Sequence, residues 1–390
     1  MFNIPFNCTG CHACANICPK NCISMIGNNE GFLYPKIDQN QCIECGQCEK
    51  VCPVINKPIV SKKTVAVAVK NIIDEERNKS SSGGVFSLLA NFVLSKGGVV
   101  VGAAYDENFL VRHIIIENAD QIRLLQGAKY SQSRIGNSYF EIKKFLQSGR
   151  VVLFSGTPCQ CSGLINYLGK DYENLVMIDL ICHGVPSPKV WQLYIDFRSS
   201  KENNGNRPIT INMRSKISGW SRYGYSTEFD YGNGYVTRIH NSQDLFMKIF
   251  VGNLCLRNSC SNCIEKGTER CSDFTIGDYW GVWNQYPEID DDKGVSIVFI
   301  HSEKGKKILQ MLKDKIVCVK VDLDTSYKEN PSMVLSSKAH ENRTEFFNRL
   351  KKDVFEELVY EYLPLKIIKK AGIFQRAKGK LKRIFIKRID

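Results

Sequence analysis

The chain has 390 residues, of which 17 are cysteines, and 43% of its residues are apolar, 24% are charged and the formal net charge is +13. These fractions are those of a folded globular protein, so extensive disorder is excluded, and no apolar run reaches the 18 residues that a membrane-spanning helix needs. The first residues carry neither the basic flank nor the apolar segment of a secretory signal, which predicts a cytoplasmic protein whose cysteines stay reduced as metal ligands or reactive thiols.

A cysteine repeat occupies the N-terminal 58 residues. A run of the form C-x2-C-x2-C-x3-C-P begins at Cys8 and recurs at Cys42. This spacing is typical of bacterial two-cluster ferredoxins, in which the fourth cysteine of each run ligates the other cluster. Two zinc sites are the alternative, but zinc motifs usually pair two separated C-x2-C knuckles. The repeat therefore predicts two 4Fe–4S clusters with the ligand sets Cys8, Cys11, Cys14 and Cys52, and Cys42, Cys45, Cys48 and Cys18.

From residue 62 onward, predicted strands and helices alternate. Strands are predicted at 64–70, 99–104, 110–116, 150–156 and 175–181, and helices at 85–94, 119–126, 136–147, after Thr157 and from Pro188. This alternation predicts an α/β core with a mainly parallel sheet. The β-forming residues of 208–240, which surround a Gly-Asn-Gly turn at 232–234, predict an antiparallel insertion.

Two loops of this core have the composition of anion sites. Ser80 to Gly84 precedes a helix, and Ser155 to Thr157 follows a strand and precedes a helix. Small residues let main-chain N–H groups approach a phosphate at a helix N-terminus, although such runs also serve as helix caps and tight turns. A 4Fe–4S cluster exchanges single electrons and a flavin joins one-electron to two-electron chemistry. A ferredoxin module beside two such loops therefore suggests a flavoprotein.

A third group of cysteines follows later in the chain. Four thiols lie within 17 residues in the spacing C-x4-C-x2-C-x7-C, at Cys255, Cys260, Cys263 and Cys271. Their number and spacing predict a third 4Fe–4S cluster, with zinc or no metal as the alternatives.

Three reactive side chains are expected at the ends of predicted strands. Cys159, Cys182 and His183 follow such ends, where open α/β sheets place their sites. His183 is predicted to donate a proton to a reduced substrate or to the flavin, with Cys182 beside it. A structural histidine with satisfied hydrogen bonds is the alternative.

The last residues form a basic tail. Between residues 363 and 390 there are ten Lys or Arg residues and one acidic residue, a net charge of +9. Apolar residues recur there at seven-residue steps, which predicts an amphipathic helix on an anionic membrane surface. A solvated helical tail is the alternative, and nucleic acid is not an expected partner because no recognition motif accompanies the charge.

Five stretches resemble a known family. They are residues 82–86, 127–133, 156–160, 179–187 and 260–281. In them the chain resembles the family of coenzyme F420 hydrogenase/dehydrogenase beta subunits, in the form with a fused two-cluster ferredoxin domain. The resemblance implies a flavin, FAD, in the α/β body. The residues that would line its site are Ser82, Gly83, Gly84, Lys129, Tyr130, Ser131, Gln132, Gly156, Thr157, Pro158, Cys159 and Gln160.

The resemblance leaves the substrate open, because function does not follow from the fold. The archaeal members of the family use the deazaflavin F420 as hydride partner. Relatives with a fused ferredoxin domain include chlorophyll-reducing enzymes of plants and bacterial proteins associated with surface-polysaccharide genes.

We therefore predict an α+β protein. A ferredoxin-like domain (1–58) precedes an α/β flavin-binding body in two parts (62–145 and 146–320), which carries the antiparallel insertion, and a helical region (321–390) ends in the basic tail. The predicted function is that of an iron–sulfur flavoprotein oxidoreductase, which passes electrons between clusters and an FAD that serves a hydride carrier or an organic substrate, with surface-polysaccharide metabolism as one setting. A non-catalytic electron-transfer or membrane-docked assembly component, bound to a redox partner protein, is the alternative.

Overall fold

The computed structural model describes residues 3–60, 63–350 and 352–364. The predicted membrane-binding helix of the basic tail falls almost entirely outside these ranges. Among the helices that the structure describes, none combines the length and the apolar character needed to cross a membrane.

The ferredoxin module contains two short helices and a hairpin. Helix α1 (Ala13–Ile17) is followed by strands β1 (Ile23–Gly27) and β2 (Leu33–Ile37), which pair antiparallel, and by helix α2 (Gln47–Lys50). Both helices follow a residue in the left-handed conformation, His12 before α1 (φ 65°) and Gly46 before α2 (φ 70°). Each of these residues lies four positions after the first cysteine of its run, so the sequence repeat is also a repeat of the backbone.

The remaining strands belong to two sheets. They are β3 (Val65–Asn71), β4 (Val99–Tyr105), β5 (Val111–Ile116), β6 (Val152–Ser155), β7 (Leu175–Leu180), β8 (Thr210–Ser215), β9 (Ser226–Asp230), β10 (Val236–His240), β11 (Phe274–Asp278), β12 (Ser296–Ile300) and β13 (Ile316–Lys320). Strands β8 to β10 form a three-stranded antiparallel sheet, which confirms the predicted insertion.

The other eight strands form one sheet in the order β13-β3-β12-β11-β7-β6-β4-β5. Its four central strands, β11, β7, β6 and β4, are parallel, whereas β5, β12, β3 and β13 pair antiparallel with their neighbours. The predicted parallel sheet is thus correct for the centre and wrong for both edges. Strand β5 follows β4 after a short turn, and a parallel pair needs a longer crossover.

In the part of the chain that the structure describes, twelve further helices surround the sheets. They are α3 (Asp74–Lys79), α4 (Val85–Leu94), α5 (Ile122–Leu125), α6 (Ser138–Gln147), α7 (Pro158–Leu168), α8 (Pro188–Asn203), α9 (Leu245–Val251), α10 (Val282–Gln285), α11 (Glu303–Met311), α12 (Leu323–Ser326), α13 (Arg343–Arg349) and α14 (Phe355–Tyr362), with short 3-10 turns at 119–121, 258–262, 313–315 and 331–333. The predicted helix at 119–126 is divided between a 3-10 turn and α5.

Two apolar cores hold the ferredoxin module against the body. On one face of the large sheet, Cys11 and Val51 of the module pack with residues of α6 and α7. In a second core, Phe32 of the module packs with Trp191 of α8, with α9 and with α13. The body therefore contacts the module on two sides, and these contacts fix the cysteines of the module relative to the body.

Candidate functional site

A cleft of about 3080 Å³ lies at the carboxyl ends of the central strands. Its wall includes Ser155, which ends β6, Leu180, which ends β7, and Asp278, which ends β11. Open α/β sheets bind their ligands at this edge. The volume exceeds the range of about 300–1,000 Å³ that is usual for one small-molecule pocket, so a cofactor and a substrate have room together.

The three loops that the resemblance assigned to a flavin meet at this cleft. All of their predicted residues except Gly83 and Pro158 line its wall. Residues separated by more than 70 positions in the sequence thus face one space.

The Ser-Gly-Gly loop is held mainly by the protein itself. The N–H of Gly83 donates to Ser296 Oγ at 3.0 Å, and Ser82 Oγ donates to the carbonyl of Val295 at 3.1 Å. A Cβ on Gly83 would lie 2.4 Å from the carbonyl oxygen of Val69. The glycine is therefore required by packing against β3, so the tight-turn interpretation applies to this position.

The second loop begins helix α7 with a capping box. The main-chain N–H of Thr157 donates to Gln160 Oε1 at 3.0 Å, and the side chain of Thr157 accepts the main-chain N–H of Gln160 in return. The hydroxyl of Thr157 also lies 3.2 Å from the Cys159 thiol. The loop thus orients Cys159 at the helix N-terminus, where that residue lines the cleft.

The Lys129–Gln132 stretch divides its groups between the cleft and the protein. Lys129 Nζ donates to the carbonyls at the end of α5, and burial lowers the pKa of Lys129 to about 7. Gln132 Oε1 accepts the N–H of Leu33 in the ferredoxin module at 2.8 Å. Ser131 Oγ is buried and has no hydrogen-bond partner within the described residues. A ligand in the cleft would satisfy this hydroxyl, so the donor set fits a bound cofactor.

The first predicted cluster set surrounds one small cavity. Cys8, Cys11, Cys14 and Cys52 all line a space of about 20 Å³ under the first cysteine run. Cys52 belongs to the second run, so the crossing of the fourth cysteine that two-cluster ferredoxins show is present here.

The second predicted set lies nearer the surface. Burial raises the pKa of Cys48, and the neighbouring thiols of Cys45 and Cys18 add to that effect. Cys45 is exposed. Cys22, which stands outside the repeat, is buried with its thiol 3.3 Å from that of Cys18.

The choice between clusters and zinc rests on the cysteine spacing. Within residues 3–60, 63–350 and 352–364, no three His, Cys, Asp or Glu side chains converge closely enough to hold one metal ion. The two runs have the spacing of two-cluster ferredoxins, so the two 4Fe–4S clusters stay the prediction for these sets.

The structure does not bring the predicted third set together. Cys255 is fully buried in the apolar core around Trp191, and Cys271 lies beside Ser162 with a separation of 3.6 Å between sulfur and hydroxyl oxygen. Cys260 and Cys263 instead lie near two cysteines at strand ends. Burial raises the pKa of Cys159, with contributions from Cys182 and Cys263, and burial also raises the pKa of Cys260, with contributions from Cys159 and Cys263.

The electrostatic neighbours of these thiols favour a grouping of Cys159, Cys182, Cys260 and Cys263. The assignment of Cys255 and Cys271 as partners relied on closeness in sequence and stays a prediction, which their surroundings do not favour. The carboxyl ends of β6 and β7 place Cys159 and Cys182 beside the 3-10 turn that carries Cys260.

The predicted catalytic pair lies in the cleft wall, but His183 is fully engaged by the protein. Its Nε2 donates to Asn253 Oδ1 at 2.6 Å, and its Nδ1 lies 3.2 Å from Ser332 Oγ. Burial lowers the pKa of His183. These contacts favour the structural alternative over proton donation.

Two residues at the junction between module and body were not predicted from the sequence. Arg257 is 2% exposed, and its guanidinium donates to the carbonyls of Cys8 and Leu33. Gly163 of α7 lies against Cys11, where a Cβ would be 2.9 Å from the sulfur. An arginine within a cysteine-rich loop was the available signal for the first residue, and the sequence offered none for the second.

Comparisons with known proteins match both parts of the chain. Residues 149–325 match the model of the C terminus of the coenzyme F420 hydrogenase/dehydrogenase beta subunit, and residues 7–56 match that of a 4Fe–4S dicluster domain. The chain is 22% identical over 325 residues to a component of the F(420)H(2) dehydrogenase of Methanosarcina mazei, and the match covers 79% of this chain and 83% of the relative.

Two further matches have a narrower meaning. A protein of Hydrogenibacillus schlegelii described as Ferredoxin 7Fe is 45% identical over 42 residues, which is 11% of this chain and 47% of that protein. A chain of the F420-reducing NiFe hydrogenase complex from Methanosarcina barkeri is 16% identical with a TM-score of 0.47, and the match covers 76% of this chain and 96% of that chain.

Proposed function

Since residues 149–325 match the C terminus of coenzyme F420 hydrogenase/dehydrogenase beta subunits and residues 7–56 match a 4Fe–4S dicluster domain, we propose that this chain is a member of that family and an iron–sulfur flavoprotein oxidoreductase. Electrons pass between the ferredoxin module and an FAD in the cleft, and the FAD exchanges two electrons with a hydride carrier or an organic substrate. The observation that carries this proposal is the succession of cysteine sets from the protein surface to the cleft wall.

The succession begins at the surface of the ferredoxin module. The set that contains the exposed Cys45 lies outermost, and the set around Cys11 is buried against the body. Cys159 is among the groups that act electrostatically on Cys11, and Cys159 and Cys182 line the cleft. Each set therefore lies next to the following one, and the last lies at the wall where a flavin would bind.

Each group has a distinct task in this arrangement. Three 4Fe–4S clusters, on the two ferredoxin sets and on Cys159, Cys182, Cys260 and Cys263, would exchange single electrons, and FAD would couple them to two-electron chemistry. Ser131 Oγ, buried in the cleft wall, is placed to donate to the cofactor. Two apolar cores keep the module fixed, so the spacing between the sets does not depend on a mobile linker.

The hydride carrier in this proposal is a deazaflavin. The Methanosarcina mazei relative is described as part of an F(420)H(2) dehydrogenase, which supports a deazaflavin as the partner of this chain. A role in surface-polysaccharide metabolism stays a prediction, because no contact described above selects a sugar.

Anaerobic purification and reconstitution with iron, sulfide and FAD test the proposal. We expect flavin and iron–sulfur absorbance that bleach together when a reduced deazaflavin or NADPH is added. Protein that binds neither FAD nor iron after reconstitution would contradict it.

The alternative is an electron-transfer component without its own substrate. Exposed apolar side chains on the ferredoxin module, such as Ile43 (57% exposed) and Ile55 (45% exposed), favour contact with a partner protein. The test adds a broad panel of hydride donors and a reduced ferredoxin to the protein with bound FAD. Reduction of the FAD by the ferredoxin, but by none of the hydride donors, would support this alternative.

A further inference from the structure

One arginine in the cleft has an unused hydrogen-bonding edge. Arg214 lies on β8 of the antiparallel insertion, lines the cleft and is 5% exposed. Its Nη1 donates to Asp278 Oδ2 at 2.8 Å and to the hydroxyl of Tyr130 at 3.3 Å. Its Nε and Nη2 have no hydrogen-bond partner within the described residues. Buried donors without partners are costly and rare in folded proteins.

The unused pair of donors has a specific chemistry. Nε and Nη2 form one edge of the planar guanidinium, and two N–H groups on one edge match the two oxygens of a carboxylate or a phosphate. A neutral hydroxyl or carbonyl oxygen would engage only one of them. The pair therefore favours an oxyanion over a neutral ligand.

Aromatic side chains hold this edge in place. The guanidinium lies 4.1 Å from the ring centroid of Tyr225 and 5.1 Å from that of Trp280. Rings on the guanidinium faces leave only its edges for hydrogen bonds. Since Asp278 and Tyr130 take Nη1, the orientation of the free edge is fixed before any ligand arrives.

The carboxylate that pairs with Arg214 does not occupy the free edge. Asp278 Oδ2 takes Nη1, and the second oxygen of Asp278 accepts the indole N–H of Trp220 at 3.0 Å. Lys216, two residues further along the chain, donates to the carbonyl of Ser82 at 2.7 Å and to two other carbonyls, and burial lowers the pKa of Lys216 to about 7. Within the described residues the Nε–Nη2 edge of Arg214 therefore carries no carboxylate bond.

We propose that Arg214 is the oxyanion-binding residue of the cleft and takes a carboxylate or phosphate group through its Nε–Nη2 edge. This inference rests on the proposed function, because the anion belongs to the cofactor or to the substrate of the same cleft. The FAD pyrophosphate and an acidic group on the substrate share this chemistry, and the experiment separates them.

The experiment uses the reconstituted full-length protein and four variants. R214Q removes the edge, R214K keeps the charge without the edge, and R214Q/D278N avoids leaving Asp278 unpaired. R222Q is the matched control, since Arg222 also lines the cleft but pairs with Glu329. FAD and riboflavin content per chain are measured, and inorganic phosphate and malonate are titrated into each protein by calorimetry.

Three results support the inference and one overturns it. If R214Q loses FAD but retains riboflavin, which lacks phosphate, the anion is that of the cofactor. If FAD stays bound while phosphate or malonate binds at least tenfold more weakly to R214Q and R214K than to R222Q, the anion belongs to the substrate. Unchanged FAD content and anion affinity in R214Q and R214Q/D278N would overturn it. If the wild-type protein binds no flavin but its phosphate affinity depends on Arg214, the proposed function fails and the anion site stands.

Discussion

Arg257 donates a hydrogen bond of 2.8 Å from its Nε to the main-chain carbonyl of Cys8, although 249 positions separate the two residues. The same guanidinium donates to the carbonyl of Leu33 at 3.0 Å and lies 3.9 Å from the ring centroid of Tyr34. It also acts electrostatically on Cys260. One buried cation thus stands between the first ferredoxin set and the set at the cleft wall.

Replacing this cation should change both stability and potential. Arg257→Gln leaves buried carbonyls without their charged donor, so we expect a loss of about 3 kcal/mol in the free energy of unfolding. Positive charge favours the reduced cluster, so the reduction potential of the nearest cluster should fall on the order of 50 mV, about 1 kcal/mol for one electron. A redox titration followed by electron paramagnetic resonance measures this shift. Arg238→Gln, which removes an exposed ion pair with Glu228, is the control, and equal potentials in both variants would refute the assignment.

Gly163 should tolerate no side chain against the first set. In Gly163→Ala, the new Cβ would lie 2.9 Å from Cys11 Sγ and 3.0 Å from Cys11 Cβ. Overpacking costs about 1–3 kcal/mol, which exceeds the gain of about 1 kcal/mol in helix propensity. We expect a lower melting temperature and less iron after reconstitution. Gly27→Ala, where a Cβ would meet only the carbonyl oxygen of Gly31 at 3.9 Å, tests glycine loss without a clash and should keep its iron.

Two assignments of the cysteine ligands of a third cluster make different predictions. If Cys159, Cys182, Cys260 and Cys263 hold a cluster, Cys182→Ser should lose about four iron atoms per chain. Cys255→Ser and Cys271→Ser should keep them. Iron analysis with spin quantification decides between the sets, and loss of iron in Cys271→Ser but not in Cys182→Ser would restore the assignment based on spacing.

His113 should make stability depend on pH. Its Nε2 donates to the carbonyl of Ser155 at 3.1 Å, its Nδ1 accepts from Ser133 Oγ at 2.6 Å, and burial lowers the pKa of His113 to about 4. The unfolded chain binds this proton near pH 6.5, so the stability contributed by neutral His113 is lost as the pH falls below that value.

Between pH 7.5 and 5.5 the expected loss from His113 is about 1 kcal/mol. Urea unfolding of the wild-type protein and of His113→Gln measures it, and the variant should show the smaller pH dependence. Parallel slopes for wild type and His113→Gln would show that another group carries the effect.

Local patterns predicted much of this structure. The first three cysteines of each ferredoxin set are predicted by their two-residue spacing within one short segment, and the fourth follows from the known crossing between the two runs. Residues 99–104, 110–116 and 175–181 form the expected strands because their apolar runs pack in the large sheet. The edge strands were harder to predict. Whether β12 runs parallel or antiparallel to β11 depends on the connection between them, and periodicity within a strand carries no information on that point.

Some residues of the cleft could not be predicted from the sequence. The loops at Ser82, Lys129 and Gly156 were assigned by resemblance, and the structure brings them to one wall. Arg214 was missed because a lone arginine in a β-rich stretch has no distinguishing pattern, and its meaning lies in two unpaired N–H groups that only coordinates reveal. Cys182 was predicted to be catalytic because it follows a strand end beside His183, and its thiol neighbours come from other parts of the chain, where sequence spacing does not reveal them.

The contacts between the body and the ferredoxin module have a consequence for biosynthesis. The module is synthesised before the residues that anchor it: Arg257 bonds to Cys8 across 249 positions, and Arg343 pairs with Glu30 across 313. Cys11 and Cys14 are buried in the folded protein. We therefore expect the first cluster to be inserted more readily before the body packs over these thiols than afterwards, and reconstitution of the folded protein to fill the first set more slowly than the set that contains the exposed Cys45.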